Sequence, residues 1–292
     1  LVKWIQLLVT GITVGSIYSL IALGYVTIYR TSRIVNMAQG AFVMFGAFFV
    51  YAFLSEIGLP YWLAAIMSIV CVAVLGMVMY LLVLRPLIKV SLVSIILATM
   101  ALSILFENVA LLKWGGYGKS VPAFTGDKAL FIGKVAIFPQ SLWVIGLMIL
   151  VLIGLYALNN LTRVGKQMTA TANDPGAASL SGVNTGRMIL LAFAISAAIG
   201  ALGGIAITPI NSTSYLSGGI YALSGFVAAI LGGWGSSTGA VVGGLVLGII
   251  QSLATGFLPA GYQDAVAYVI LILILYFRPS GILGQASTEG EV

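Results

Sequence analysis

Side chains able to do chemistry are scarce in this chain, and the scarcity narrows what it can do. Histidine is absent, Cys71 is alone, and the carboxylates are Glu56, Glu107, Asp127, Asp174, Asp264, Glu289 and Glu291. Without histidine there is no imidazole for a Ser-His triad, a metal centre or a proton relay, and one cysteine builds neither a disulfide framework nor a thiolate cluster. No catalytic residue and no metal ligand set is assigned. The glycine-rich GGWGSSTG, Gly232 to Gly239, has no lysine to reach a phosphate, so the chain is not expected to hydrolyse ATP.

What remains are amides, hydroxyls and glycines that interrupt apolar sequence in three places. The first is RTSRIVNMAQGAFVMFGAF, Arg30 to Phe48, where Asn36, Gln39 and Gly40 open an apolar helix. Their amides either hydrogen-bond across helices as structural glue or border a polar route. The second is Ile210 to Gly244, a hydroxyl-rich turn with Ser212 and Tyr215, followed by a short helix broken at Gly232, Gly233 and Gly235. The third is GKQMTATANDPGAASLSGVNTGR, Gly165 to Arg187. There Asp174 is an N-cap, Pro175 fits the first helical position, and Gly182 closes the helix in the left-handed conformation, which predicts a helix over Pro175 to Ser181. So short a helix cannot span a bilayer and needs a surface to lie on, either the membrane face or a partner protein.

The elements that must position these residues follow from composition. The chain has 292 residues, 61% of them hydrophobic and only 7% charged, against about a quarter charged in a soluble domain. It is therefore solvated by lipid. Apolar runs of about 20 residues recur along its length, as helices crossing a bilayer require, and barrel-like alternation is missing. The expected fold is an all-α polytopic membrane protein of about 8 to 10 spans forming one transmembrane domain over residues 1–292. Spans are placed at about 5–29, 34–54, 60–84, 90–112, 140–160, 188–208, 219–233, 236–256 and 261–278, and the first is read as a retained span, not a signal peptide.

With the N-terminus outside, eight of the thirteen basic residues face the cytoplasm: Arg30, Arg33, Arg85, Lys89, Arg163, Lys166, Arg187 and Arg278. The loop at about 161–187 is then cytoplasmic, and the loop at about 113–139 is an irregular, basic external cap. Glu107 and Asp264 fall near the outer ends of spans, which argues against proton coupling through a carboxylate at the midplane. The two interrupted stretches occupy matching places in two weakly related halves and run in opposite directions. Short, glycine-interrupted segments so placed point to a substrate route at the repeat interface.

RTSRIVNMAQGAFVMFGAF, GKQMTATANDPGAASLSGVNTGR, FVAAILGGWGSSTGAVVGGLVLGII (Phe226 to Ile250) and the terminal YFRPSGILG (Tyr276 to Gly284) together resemble the LivH-type permease subunits of bacterial and archaeal branched-chain amino acid ABC transporters. The resemblance runs nearly end to end. It implies a multi-pass permease of the cytoplasmic membrane, working with a second, homologous (LivM-like) permease, two cytoplasmic ATPases and an extracytoplasmic substrate-binding protein. ATP and magnesium would be bound by the ATPases, leaving no cofactor in this chain and no nucleic-acid partner. The family's coupling loop matches Ala172, Asp174, Pro175, Ala177, Ala178, Leu180 and Gly182, which implies that the short helix docks in an ATPase groove. Asn36, Gln39, Gly40, Ser212 and Tyr215 are the pathway candidates. Permeases for sugars, amides and urea look similar, and a self-sufficient secondary transporter is the remaining alternative.

Overall fold

The computed structural model describes residues 2–283 except 89, 127, 260, 261 and 279, so Lys89, Asp127, Gly284, Glu289 and Glu291 lie outside the described residues. Its helices are α1 (Val2–Ser32), α2 (Gln39–Tyr51), α3 (Tyr61–Met79), α4 (Arg85–Leu87), α5 (Leu92–Trp114), α6 (Pro139–Leu161), α7 (Arg163–Asn173), α8 (Pro175–Leu180), α9 (Thr185–Ile207), α10 (Ser217–Gly232), α11 (Ser237–Ala254) and α12 (Gln263–Phe277). Single π-helical turns continue α2 over Ala52–Glu56 and α3 over Tyr80–Leu84. Among the described residues seven helices are long and apolar enough to cross a membrane. Two shorter apolar helices, α10 and residues 265–277 of α12, complete the nine expected segments.

The helices form an inner group and a lipid-facing shell. In the apolar window of α9, 67% of residues are buried, against 17% in α5, so α3, α5 and α6 present apolar side chains outward to hydrocarbon. Lipid gives helices no hydrophobic reason to associate, and close backbone approach replaces it. α1 and α11 meet through ridges of small residues four apart: Gly11, Gly15 and Ser19 face Ser252, Gly248 and Gly244 in antiparallel register. A Cβ on Gly15 would stand 2.8 Å from both the Leu245 Cα and the Gly244 carbonyl oxygen. Ser19 Oγ lies 3.0 Å from the Val241 carbonyl and Ser252 Oγ donates to the Leu7 carbonyl at 2.6 Å, fastening both ends of the seam.

Contacts sort the loops to two ends. At one, Trp234 of the α10–α11 turn packs on Tyr29 at 5.3 Å, the backbone N–H of Ile282 donates to the Leu231 carbonyl, and α7 lies against α1, α6 and α9. At the other, Gln6 exchanges hydrogen bonds with Ala136, and Lys119 pairs with Thr213. The loop expected to be irregular contains a two-stranded hairpin, β1 (Leu130–Ile132) with β2 (Val135–Ile137), turning at Gly133, whose φ of +64° suits glycine. The second span begins at Gln39 and not at residue 34, because Arg33 leaves the helix at φ +58° and residues 33–38 are not helical.

The α1–α11 seam yields a direct test. Gly248→Val should destabilise the fold by about 1–3 kcal/mol, because its Cβ meets the Gly15 backbone. Gly146→Val, in α6 with open space around it, should change stability by less than about 0.5 kcal/mol. Thermal unfolding in detergent, comparing the two variants, measures the difference.

Candidate functional site

Gln39 begins α2 inside the bundle, because its side chain is held by helices on two sides. Its Nε2 donates to the Ser196 carbonyl at 3.2 Å, and Ser196 Oγ lies 2.8 Å from Gln39 Oε1 and 2.7 Å from the Gly24 carbonyl. Gly24 is eight residues from the end of α1 and Ser196 eleven from the start of α9, which at 1.5 Å per residue is about 12 and 17 Å inward. The joint therefore sits near mid-membrane. Gly24 and Gly200 make room for it, since a Cβ on Gly24 would collide with the Gln39 amide. Gln39 is fully buried, and both of its amide atoms are hydrogen-bonded to α9.

Asn36 precedes this joint and is 1% exposed. Its Oδ1 accepts the Ala38 N–H at 3.1 Å, closing the turn that delivers α2, while its Nδ2 has no partner among the described residues. Gly40 abuts α10: a Cβ there would strike the Gly218 carbonyl and lie 2.6 Å from the Ala222 Cβ. Two half-helices thus start side by side within the bundle and run apart, α2 toward the Lys119 end and α10 toward the Tyr29 end. The opposed broken segments expected from sequence are brought together by their first glycines.

The hydroxyl-rich turn leads from the Lys119 end to this point. Ser212 is exposed beside Gly118, and Tyr215 is half-buried against the aromatic cluster of α2 and α5. Neither is drawn into the Gln39 joint. Sequence reasoning missed Glu107, set aside as lying near a span's outer end. It is about 10 Å in from the end of α5, and its carboxylate lies beside the first turn of α10, where a Cβ on Gly219 would stand 3.3 Å from its Oε1. A carboxylate beside a helix N-terminus faces the positive end of its dipole. The signal that could have found it is a lone acid in an apolar run, which is functional by default.

At the opposite end lies the capped helix. Asp174 Oδ1 accepts the N–H groups of Gly176 at 2.8 Å and Ala177 at 3.0 Å. At the other terminus the Gly182 N–H donates to the Ser179 carbonyl and the Val183 N–H to the Ala178 carbonyl, with Gly182 at φ +83°. Those paired bonds are the Schellman closure that a left-handed glycine permits. The helix ends at Leu180, with Ser181 its cap residue.

Ala178 is 4% exposed, its methyl turned toward its own chain. Leu180, 93% exposed, is the apolar side chain left for something else to cover. Pro175 and Ala177 are exposed and Ala172 is half-buried. The residues before Asp174, expected to be loop, form α7, capped by Thr162 Oγ1 accepting the Gly165 N–H at 3.1 Å. Met168 and Thr171 are buried on its inner face, Met168 packing with Met188 and Ala192 of α9. The helix pair is therefore seated on the bundle.

Comparison with known proteins agrees along the whole chain. Residues 7–275 match the family described as branched-chain amino acid transport system / permease component. The branched-chain amino acid permease LivH of Escherichia coli K12 is 30% identical, the match covering 98% of this chain and 97% of the relative. BraD of Pseudomonas aeruginosa, named for the same transport system, is 32% identical over the same shares. The probable LivH of Methanocaldococcus jannaschii is 28% identical over 94% of this chain and 90% of its own. With a match of this length, the chain belongs to the branched-chain amino acid transport system permease family.

Proposed function

We propose that this chain is one permease subunit of an ATP-driven importer for branched-chain amino acids, acting by alternating access in the cytoplasmic membrane. The observation that carries this reading is the pair of half-helices, α2 and α10, that start together inside the bundle and leave in opposite directions. Broken helices of this kind supply polar backbone at membrane depth where a solute must pass. A second, homologous permease would face this junction, an extracytoplasmic binding protein would deliver the amino acid and set most of the selectivity, and two ATPases would supply ATP and magnesium. The hydroxyl-lined turn from Ser212 to Tyr215 is the outer approach. Glu107, beside the start of α10, is placed to meet the substrate ammonium, and the Asn36 amide, without a partner among the described residues, is a donor held in reserve in the turn before α2.

Coupling follows from how the cytoplasmic helices are seated. Leu180, with Pro175 and Ala177, offers an exposed apolar tip for an ATPase groove, while Asp174, Gly182 and the buried Ala178 keep that tip folded and anchored. α8 continues from α7, and α7 packs on α1 and α9, the two helices that hold Gln39 through Gly24 and Ser196. Displacement of α8 therefore reaches the start of α2 through packed helices, without passing through a flexible loop.

Two tests separate docking from substrate handling. In a reconstituted complex, Leu180→Glu should abolish ATPase co-purification, because a carboxylate in an apolar groove is buried unpaired. Asp174→Ala should weaken co-purification by loosening the helix by about 0.5–2 kcal/mol, and both chains should still insert and unfold normally; full substrate-stimulated hydrolysis in both variants would exclude α8 as the coupling element. Glu107→Gln should leave assembly and basal hydrolysis intact yet reduce leucine uptake by at least about tenfold, since a charge-assisted contact to an ammonium is lost. Wild-type uptake would remove Glu107 from the route.

A further inference from the structure

Within the lipid-facing shell, α5 differs from α3 and α6. Through the width of the bilayer the exposed side chains of those two helices are apolar, among them Ile66, Val70 and Val74 on α3 and Ile149, Leu150 and Ile153 on α6. α5 instead carries Asn108 on its exposed face. Six residues, about 9 Å, separate Asn108 from the Trp114 end of a helix about 35 Å long, so the amide lies within a hydrocarbon core of about 30 Å. Its Nδ2 donates to the Ile104 carbonyl of its own helix at 2.8 Å, which leaves Oδ1 with no donor among the described residues.

Leu97, Ala101, Ile104, Asn108 and Leu112 form one exposed stripe at spacings of four and three residues, and Leu112 is 87% exposed. The residues that seat α5 on its own chain, Ile95, Thr99, Ala110 and Trp114, lie on the opposite side. Such spacing is the seam of a left-handed helix pair, in which Ala101 lets a second backbone approach and one polar side chain fixes the register. Hydrocarbon covers the leucines of this stripe without cost. It has no donor for an amide at this depth, and an asparagine is too short to reach head groups about 9 Å away. About a quarter turn around α5 stands the Glu107 carboxylate, in a groove whose far wall is Leu216 and Ile220 of α10, both exposed.

We propose that this stripe is the surface on which the second permease packs, through a helix parallel to α5 that donates to Asn108 Oδ1, a contact that rests on the reading of this chain as one of two paired permeases. Homologous chains crossing the membrane in the same sense pair about an axis along the membrane normal, which sets corresponding helices parallel and side chains of equal depth opposite each other. A helix on the stripe also roofs the groove between α5 and α10. The Glu107 carboxylate is then removed from lipid and enclosed in the assembly together with the junction.

The test co-expresses this chain with the second permease, which carries an affinity tag, and reads how much of this chain is retained. Ala101→Trp should cut retention at least about tenfold by holding the helices apart. Asn108→Leu, similar in size but without the hydrogen bond, should cut it about threefold or more. Leu150→Trp, on the exposed face of α6, should leave it unchanged. All three positions are exposed, so unfolding of the chain alone should match that of the unaltered chain. A photoreactive phenylalanine analogue at Ile104 should attach to the second permease, and one at Leu150 to lipid only. Equal retention of the unaltered chain and both α5 variants would overturn this interface while leaving the pairing of permeases intact. Attachment from Ile104 to lipid alone, or to another copy of this chain, would do the same. No retention of the unaltered chain would overturn the pairing itself and this interface with it.

Discussion

Everything in this structure depends on helices that must associate where water gives them no reason to. Apolar side chains gain nothing by leaving lipid for one another, so contact area, close backbone approach and interhelical hydrogen bonds decide which faces meet. The seam of Gly11, Gly15 and Ser19 against Gly244, Gly248 and Ser252 is the strongest instance, and it fixes α1, the longest helix, as the spine of the inner group. The same device recurs wherever a functional element crosses another. Gly40 lets α2 touch α10, Gly24 and Gly200 admit the Gln39 side chain, and Gly76 brings α3 against Phe193 and Ala197 of α9.

That packing lets one amide serve three helices. Gln39 reaches α1 and α9 through Ser196, and in hydrocarbon each such bond contributes about 0.6–2 kcal/mol, with the alternative an unsatisfied amide. A small shift of α1 against α9 must therefore be answered at the start of α2. Because α7 is seated on both helices and α8 is its continuation, the α8 tip and the mid-membrane junction belong to one connected body. The exposed Leu180 stands at one end of that body and the Glu107 carboxylate, beside the start of α10, at the other.

Much of this architecture was legible in the sequence because its signals are local. Runs of apolar residues mark spans, and Asp174, Pro175 and Gly182 mark a helix wherever it sits. What escaped depends on distant residues. Ala178 faces inward because α8 lies on its own bundle, which no spacing within Pro175 to Ser181 reveals. Glu107 looked peripheral by counting along α5, and only the fold shows that its carboxylate lies beside the start of α10. α7 was missed although Val164, Met168 and Thr171 carry a helical period, since its polar composition read as loop. The α1–α11 seam was equally readable as small residues four apart, but their pairing joins the two ends of the chain.

The central claim is that force applied at α8 reaches the substrate junction through the Ser196–Gln39 joint. The most direct test is the number of leucine molecules imported per ATP hydrolysed in vesicles carrying the Ser196→Ala complex. That change removes one hydroxyl and little volume, so helices should stay packed while α2 loses its link to α1 and one of its two hydrogen bonds to α9. The account predicts preserved ATP hydrolysis with a clearly lower transport ratio; a ratio equal to that of the unaltered complex would contradict it.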